Sequence, residues 1–166
     1  MEILILSDSH GRAHLIGEVL ARQIRKPDVL LFLGDGLRDL EYGIDPSILC
    51  YEVRGNCDLF ALGGDAPDER CLFYEGHKLL LCHGHAYGVK GGIGPLLAHG
   101  VREGADLILF GHTHTPYLER ISAGTSVAGG TLERDVYLFN PGSLAQGSFG
   151  ALHLDGERIL FSHGRL

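Results

Sequence analysis

The sequence predicts an α/β fold in which two mixed β-sheets face each other and carry helices on their outer faces. Helical periodicity and short apolar strands alternate up to about residue 104, and short strands separated by turn residues follow. The chain has 166 residues and shows no linker, internal repeat or low-complexity segment. We therefore expect residues 1–166 to form one domain, since either half alone would bury too little surface.

The first half predicts a βαβ unit followed by a third strand. Residues 12–25 place apolar side chains on one helical face, with basic residues near the carboxyl end and Pro27 as the stop signal. The apolar face consists of Leu15, Ile16, Val19, Leu20 and Ile24. Strands are predicted at 3–6, 28–33 and 48–53, and a loop or short helix at 36–47.

The middle of the chain predicts a loop, a hairpin and a second helix. Residues 59–70 contain two glycines, one proline and three acidic residues, which is typical of a surface loop and makes it a candidate lid. Strands at 71–75 and 78–82 flank Gly76-His77 as in a hairpin, and Pro95 opens a helix at 95–103. The remaining strands are predicted, without a further helix, at 106–110, 117–122, 136–139, 149–154 and 158–163.

Charge and composition argue against several classes of protein. The formal net charge is −7 and basic residues form no cluster, which argues against a nucleic-acid surface held by phosphate contacts. No apolar run approaches the ~20 residues of a membrane span, and no basic leader segment precedes the first strand. The four cysteines form no C-x-x-C pair, which argues against a zinc ribbon or a thioredoxin-like motif. We expect a cytoplasmic protein.

Each of four apolar strands is followed at once by aspartate or histidine. The strands and the residues that follow them are Ile3–Leu6 with Asp8 and His10, Leu30–Leu33 with Asp35, Leu79–Cys82 with His83 and His85, and Leu107–Phe110 with His112 and His114. Asn56 follows Gly55 at the end of the third strand in a similar way. Because sites in α/β folds lie at the carboxyl ends of strands, we expect these side chains to converge. If strand geometry persists, Asp8 and His10 point to the same side.

The chemistry of this set indicates two metal ions. Carboxylate oxygens, an amide oxygen and imidazole nitrogens suit manganese, iron, zinc or nickel better than calcium or magnesium, which prefer all-oxygen ligands. Seven ligands hold two ions if one carboxylate bridges them, and such a pair can activate a hydroxide for phosphoryl transfer. Taken singly, each motif also fits a histidine pair without metal, a turn or a cap. Their succession along one chain favours the metal site.

The ordered motifs resemble those of the calcineurin-like metallophosphoesterase superfamily. They are Asp8-x-His10, Gly34-Asp35, Gly55-Asn56, His83-Gly84 and Gly111-His112-x-His114. The short chain, the Gly-Asn-Cys-Asp form of the third motif and the segment 140–143 are similar to the small YfcE-like phosphodiesterases, which share their fold with a retromer subunit. The resemblance covers essentially the whole chain and implies a four-layer α/β/β/α sandwich with a binuclear metal site.

The resemblance implies a metal ligand set divided over two ions. The first ion would be bound by Asp8, His10 and His114, the second by Asn56, His83 and His112, and both by a bridging Asp35. Two divalent transition-metal ions are therefore the expected cofactors, with manganese first and nickel, iron or zinc as alternatives.

Three residues are the candidate catalytic groups: Asp35, Asn56 and His85. His85 would contact the substrate phosphate or orient a ligand, and an ordinary loop histidine is the alternative. Near the metals, Asn140 and Ser143 are expected to fix a turn. Arg12 would meet either a substrate oxygen or only solvent.

Two positions depart from the pattern of the resembled family. Many members carry, after the ligand asparagine, a histidine that protonates the leaving group, and here this position is Cys57, followed by Asp58. A thiol beside cations tends toward the thiolate, which cannot donate a proton. Many members also carry an acidic residue three positions after the motif aspartate, where this chain has Arg38 and then Asp39. We expect a looser loop there and no missing ligand.

The predicted function is a metal-dependent phosphodiesterase that hydrolyses small phosphodiesters by attack of a metal-bridging hydroxide. Without a general-acid histidine, good leaving groups such as activated aryl diesters should be favoured. The alternatives are a phosphomonoesterase of the same superfamily and a non-catalytic, metal-bearing interaction scaffold like the retromer relative. The expected partners are a small substrate and, as in many relatives, further copies of the same chain.

Overall fold

The computed structural model describes residues 1–58, 66–128 and 130–166, which contain two five-stranded sheets and three α-helices. The strands are β1 (Glu2–Leu6), β2 (Val29–Phe32), β3 (Leu49–Glu52), β4 (Glu69–Tyr74), β5 (His77–Cys82), β6 (Leu107–Leu109), β7 (Tyr117–Ile121), β8 (Ser126–Val127), β9 (Gly130–Thr131), β10 (Val136–Asn140), β11 (Ser148–Asp155) and β12 (Arg158–Arg165). The helices are α1 (Ala13–Arg22), α2 (Leu37–Gly43) and α3 (Gly94–Arg102).

Both large sheets are mixed, as predicted. The first has the strand order β12-β11-β1-β2-β3, in which β1, β2 and β3 are parallel and β11 and β12 antiparallel. The second has the order β4-β5-β6-β10-β7, in which β5, β6 and β10 are parallel. Each sheet contains three adjacent parallel strands, so their carboxyl ends can deliver several loops to one edge.

The buried apolar side chains form three layers of packing. Ile5, Leu31, Leu81 and Leu109 belong to the layer between the two sheets, where none is measurably exposed. A second layer packs α1 and α2 against the first sheet, and a third packs α3 against the second sheet. Each strand of the sandwich centre is covered on both faces, which explains its uninterrupted apolar sequence. The four-layer α/β/β/α architecture is confirmed.

Several element boundaries differ from the sequence prediction. The first helix ends at Arg22 and not at residue 25, because Gln23 takes an extended backbone with ψ of 130°. Ile24 is therefore not on the buried helix face but fully exposed. Residues 36–47 contain the short helix α2, and the hairpin turn is Glu75–Gly76, so that His77 already belongs to β5.

Two features of the second half were missed. The strands β8 and β9 pair as a small separate hairpin, although no strand was predicted there. Residues Leu144–Gln146 form one turn of 3-10 helix between two predicted strands, where only turn residues were expected. Neither feature follows an apolar periodicity, since each is too short to show one.

The predicted loop at 59–70 is described only in part. Its last two residues belong to β4, and residues 59–65, on which the lid prediction falls, lie outside the described residues. In the described ranges, the helices are all too short and too polar to cross a membrane.

Candidate metal centre

The carboxyl ends of the parallel strands meet at one edge of the sandwich. The loop after β1 is joined to the loop after β2 by a hydrogen bond from the Asp8 N–H to the Gly34 carbonyl, at 2.9 Å. The two sheets are joined by His83, whose Nδ1 lies 2.7 Å from the Leu33 carbonyl oxygen. The predicted convergence of strand ends is therefore present, and it brings together residues that lie more than one hundred positions apart in sequence.

Asp8, His10 and His114 form the first group of candidate ligands. Their nearest ligand atoms lie within 4.8 Å of one another. His114 Nε2 is 3.1 Å from Asp8 Oδ1 and also 3.1 Å from His10 Nε2. Two imidazole nitrogens and one carboxylate oxygen thus face a common point, which suits a divalent transition metal.

Asp35, His83 and His112 form the second group. Their ligand atoms also lie within 4.8 Å of one another, and His83 Nε2 is 3.3 Å from Asp35 Oδ2. The two groups are contiguous, because His83 Nε2 is 3.9 Å from Asp8 Oδ1. Six of the seven predicted ligands therefore lie in two adjoining clusters.

Two buried atoms indicate that the described residues do not complete the site by themselves. Asp8 Oδ1 and His83 Nε2 are both fully buried and have no hydrogen-bond partner within the described ranges. The other atoms of these side chains are engaged: Asp8 Oδ2 accepts from Ser7 Oγ at 2.5 Å and from the His112 N–H at 3.1 Å. A buried polar atom without a partner is costly, so both atoms fit a bound cation.

The tautomer of His83 is fixed in favour of metal binding. A carbonyl oxygen can only accept, so Nδ1 donates its proton to Leu33, and in the neutral imidazole Nε2 carries the lone pair. A hydrogen bond from the distal ring nitrogen to a carbonyl is the usual support of a metal-binding histidine. The donor set therefore fits the group that the sequence predicted.

The backbone around the candidate ligands is left-handed. Five of them, Asp8, His10, Asp35, His112 and His114, have φ between 45° and 66°. The expectation that strand geometry continues through Asp8 and His10 is therefore wrong. Non-glycine residues in this region cost roughly 1 kcal/mol or more each and persist only where the surroundings impose them.

Asp58 is the residue that imposes the backbone of one half of the site. Its carboxylate accepts from four backbone N–H groups, at 2.7 to 3.0 Å, and these belong to Asp35, Gly36, Leu37 and Gly55. It thereby ties the loop after β2 to the loop after β3. Sequence analysis assigned no role to Asp58, and its only signal was an acidic residue two positions after Asn56.

Gly55 is required by this close approach of two loops. A Cβ at position 55 would lie 2.2 Å from Asp35 Oδ1 and 2.4 Å from the Asp35 nitrogen. Any larger residue would displace Asp35 itself. The glycine before Asn56 is thus explained by space and not by an unusual backbone angle.

Asp39 resolves one of the two departures from the family pattern. Its Oδ2 accepts from Ser9 Oγ at 2.5 Å and from the Gly11 N–H at 2.7 Å, so it fixes the loop that carries His10. The expected looser loop is not found, because this carboxylate is buried and holds the β1 loop against α2. Arg38, one residue earlier, is exposed.

The segment after β10 supports the other half of the site. Asn140 Nδ2 donates to the Gly111 carbonyl at 2.6 Å, and Ser143 Oγ donates to the Asp8 carbonyl at 2.9 Å. Both side chains are fully buried. They fix the turns that carry Asp8 and His112, as the sequence suggested. Arg12 donates to the Ala145 carbonyl at 2.6 Å and so also braces this segment.

The remaining predicted site residues lie at the exposed rim. The ring of His85 is 5.5 Å from that of His83 and 6.1 Å from that of His112. Asn56 is exposed, and its Nδ2 lies 3.3 Å from Cys57 Sγ. Cys57 in turn has its sulfur within 4.8 Å of ligand atoms of His10 and Asp35. Asn56 therefore lies beside both clusters, and its metal ligation remains a prediction.

Burial and neighbouring charges shift the pKa values of the site residues in different directions. Burial lowers the pKa of His83, but the Asp35 and Asp8 carboxylates outweigh it, so that this pKa is raised overall. Burial raises the pKa of Asp35, but the His83 ring and the Cys57 N–H outweigh it, so that this pKa is lowered overall. Burial and the neighbouring His83 lower the pKa of His112 to about 4, and they also lower the pKa of His85. For Asp8, burial prevails over the surrounding histidines and raises the pKa.

The residues around Cys57 favour its neutral thiol over the predicted thiolate. Desolvation and the neighbouring Asp35 carboxylate raise the pKa of the Cys57 thiol to about 11. The expectation that this thiol is ionised considered only cations, while the structure places carboxylates beside it.

The fold and the donor set define a class of metal-dependent phosphoesterases, and comparison with known proteins identifies the family. The model of the calcineurin-like phosphoesterase superfamily domain matches residues 1–153, so the chain belongs to this superfamily. A probable metallophosphoesterase of Bacillus subtilis, YsnB, is 32% identical over 145 residues, which cover 87% of this chain and 75% of the relative.

Solved structures agree on the fold. A structure described as a novel archaeal phosphodiesterase superposes with a TM-score of 0.69 at 19% identity, covering 100% of both chains. Wild-type Vps29 of Entamoeba histolytica in complex with zinc superposes with a TM-score of 0.68 at 18% identity, covering 100% of this chain and 98% of that one. At these identities the likeness extends to the fold alone.

Proposed function

We propose that this protein is a metal-dependent phosphodiesterase acting on small phosphodiesters. The observation that carries the proposal is the pair of contiguous ligand clusters. Each contains one buried atom, Asp8 Oδ1 or His83 Nε2, that has no hydrogen-bond partner among the described residues. The names of the Bacillus relative and of the archaeal structure support a metal-dependent phosphoester reaction and a diester substrate respectively.

The residues divide between two sites as the family pattern implies. The first ion would be held by Asp8, His10 and His114, the second by Asn56, His83 and His112, and both by Asp35. When bound, divalent ions at these positions polarise a phosphoryl group and lower the pKa of water. Manganese is our first choice, with nickel, iron or zinc as alternatives.

The protein contributes preorganisation to this chemistry. The left-handed turns, braced by Asp58, Asp39 and Ser143, aim the ligands before any substrate binds, so little reorganisation is needed during reaction. His85, at the rim beside His83 and His112, is placed to donate a hydrogen bond to a phosphate oxygen.

The position of Cys57 favours diesters with good leaving groups. Its sulfur lies beside His10 and Asp35, where many members of the family carry the histidine that protonates the leaving group. A thiol whose pKa is about 11 is a poorer acid than an imidazolium. We therefore expect weak hydrolysis of alkyl phosphomonoesters and faster hydrolysis of aryl diesters.

The first test measures hydrolysis of a bis-aryl phosphodiester by chelator-stripped protein, before and after addition of Mn²⁺. We expect turnover only with metal, its loss in His112→Ala, and its retention in the matched control His77→Ala. Absence of bound metal in the wild-type protein, measured by elemental analysis after reloading, would contradict the proposal at its foundation.

The variant Cys57→His tests the leaving-group argument. If the missing general acid limits monoesters, this variant should raise the monoester-to-diester rate ratio while leaving two metals bound. An unchanged ratio would contradict the argument. A monoester-to-diester rate ratio above one in the wild-type protein would favour the alternative of a phosphomonoesterase.

A non-catalytic scaffold is the second candidate, and the likeness of the fold to Vps29 favours it. In that case the protein would bind two metal ions per chain without turning over any phosphoester. The complete set of preorganised ligands supports catalysis instead, because a scaffold has no evident need for strained backbone at five ligand positions.

A further inference from the structure

A cavity of about 310 Å³ opens directly beside the candidate metal centre. One wall is formed by the site itself, through His10, Asp35 and Cys57. The start of α2, with Arg38 and Asp39, also lines the cavity. A substrate phosphate held at the metal centre would therefore project one of its ester arms toward this cavity.

The acidic groups that line the cavity are occupied by the protein. Asp39 Oδ2 accepts from Ser9 Oγ and from the Gly11 N–H. The Asp58 carboxylate accepts from four backbone N–H groups. Both carboxylates direct their charge into the loops that they fix, and neither pairs with Arg38.

Arg38 is the cation that these contacts leave available. Its exposed side chain makes no ion pair or hydrogen bond with any residue in the described part of the chain. Some other arginines do have such a partner, such as Arg22 with Glu18 at 2.7 Å and Arg54 with Asp68 at 2.7 Å. The free guanidinium keeps its full capacity to bind an anion in a bidentate manner.

The backbone that carries Arg38 is held on both sides. The N–H of Leu37 donates to Asp58 at 3.0 Å, and the side chain of Asp39 is fixed by the β1 loop. The position of Arg38 relative to the metal centre is thus set by buried hydrogen bonds. The fixed backbone limits the reach of the Arg38 side chain to the neighbourhood of this cavity.

We propose that Arg38 determines substrate specificity by binding a second anionic group, so that the preferred substrate is a phosphodiester whose arm carries a carboxylate or a further phosphate. This proposal rests on the proposed function only in that it places the reacting phosphate at the metal centre. The net charge of the protein is acidic, so a cation on the wall of this cavity offers an anion a locally favourable position.

The binding test uses two ligands that cannot be hydrolysed and that differ in one charge. Propylphosphonate and 2-carboxyethylphosphonate are titrated calorimetrically into the Mn²⁺-loaded protein, with a 4-carboxybutylphosphonate and pentylphosphonate pair covering a longer reach. We expect the carboxylate to tighten binding about tenfold in at least one pair, as is usual for a charge-assisted hydrogen bond. Arg38→Gln should abolish this preference, and Arg38→Lys should keep part of it.

The matched control is Arg25→Gln. Arg25 is also exposed and has no ion pair among the described residues, but it lines a different cavity, at the end of α1. It should keep the full preference for the carboxylate. No preference in the wild-type protein for either pair, or an equal preference in Arg38→Gln, would overturn the proposal.

A kinetic arm separates this proposal from the proposed function. Ethyl p-nitrophenyl phosphate and 2-carboxyethyl p-nitrophenyl phosphate release the same leaving group, and Arg38→Gln should raise KM about tenfold for the second substrate only. A carboxylate preference in binding without any turnover would refute the phosphodiesterase and keep the anion site. Turnover of both esters with equal KM in wild type and variant would refute the anion site and keep the phosphodiesterase.

Discussion

The strand β5 has a histidine at each end, and the two side chains differ in whether both ring nitrogens have hydrogen-bond partners. His77, its first residue, places Nδ1 2.9 Å from Asp106 Oδ2 and Nε2 3.0 Å from the Gly156 carbonyl oxygen. His83, directly after its last residue, engages Nδ1 with the Leu33 carbonyl, while Nε2 is buried without a partner in the described ranges. Both histidines cross-link the fold, but only one keeps an unused nitrogen.

This difference separates a structural histidine from a candidate ligand. At the amino end of the strand, the surrounding polar groups satisfy one another, and Arg134 adds a cation 3.6 Å from Asp106. At the carboxyl end, two carboxylates and several imidazoles crowd together on left-handed backbone. A further group such as a cation would stabilise this carboxyl end, because it would engage the buried atoms that have no partner in the described ranges.

The largest expected effect is that of replacing His83, whose Nε2 has no hydrogen-bond partner in the described ranges. His83→Gln should reduce phosphodiester hydrolysis more than about 100-fold and lower the bound metal content, because loss of a ligand should exceed the 10- to 100-fold cost of a supporting residue. His77→Gln should leave both values near wild type. Equal losses in the two variants, measured by steady-state kinetics and elemental analysis, would remove the distinction between the two ends.

The second prediction concerns the support beneath the ligands. Asp58→Asn replaces one acceptor oxygen by a donor that faces backbone N–H groups, so the loops that carry Asp35 and Asn56 should separate. We expect metal affinity to fall about 10- to 100-fold while the protein still folds. Titration of the stripped variant with Mn²⁺ measures this change, and an unchanged affinity would show that Asp58 supports the fold alone.

The third prediction is that metal binding beside His83, at the carboxyl end of β5, stabilises the folded protein. Ions that bind only the native state stabilise it by about 2.7 kcal/mol at a concentration one hundred times Kd. For a chain of this length, such a change raises Tm by about 5 to 10 °C. Calorimetry of stripped protein with and without Mn²⁺ measures the shift. His83→Gln should show a much smaller one, and a full shift in that variant would place the ions elsewhere.

The sequence predicted the sandwich because its central strands are buried on both faces and are therefore continuously apolar. It failed at Ile24, since apolar spacing continues past the residue where the helix ends, and at β8 and β9, which are too short to form a pattern. Elements whose burial depends on one large interface leave a signal along the chain, whereas those formed by a few local contacts leave none.

For the candidate site, residue types were easier to predict than geometry. Asp8, His83 and His112 were found because each follows an apolar strand, and the structure does bring them together. The left-handed turns and the four N–H contacts of Asp58 could not be predicted, because they depend on loops that meet only in three dimensions. The sequence showed that Arg38 stands where many relatives carry an acidic residue and that Asp39 follows it. Only the structure shows that the Asp39 side chain is buried and that Arg38 is exposed.

The smallest expected effect is that of replacing His77, at the amino end of β5. His77→Phe keeps a ring of similar shape but removes both hydrogen bonds. Among the described residues, this leaves the buried Asp106 carboxylate with the more distant Arg134 alone. Two hydrogen bonds contribute about 1 to 2 kcal/mol, so Tm of the stripped protein should fall by about 3 to 6 °C. The Mn²⁺-induced rise in Tm should stay at its wild-type size, because no ligand is touched. A diminished rise would show that the two ends of the strand are coupled, and that the contrast between a structural and a metal-binding histidine is one of degree.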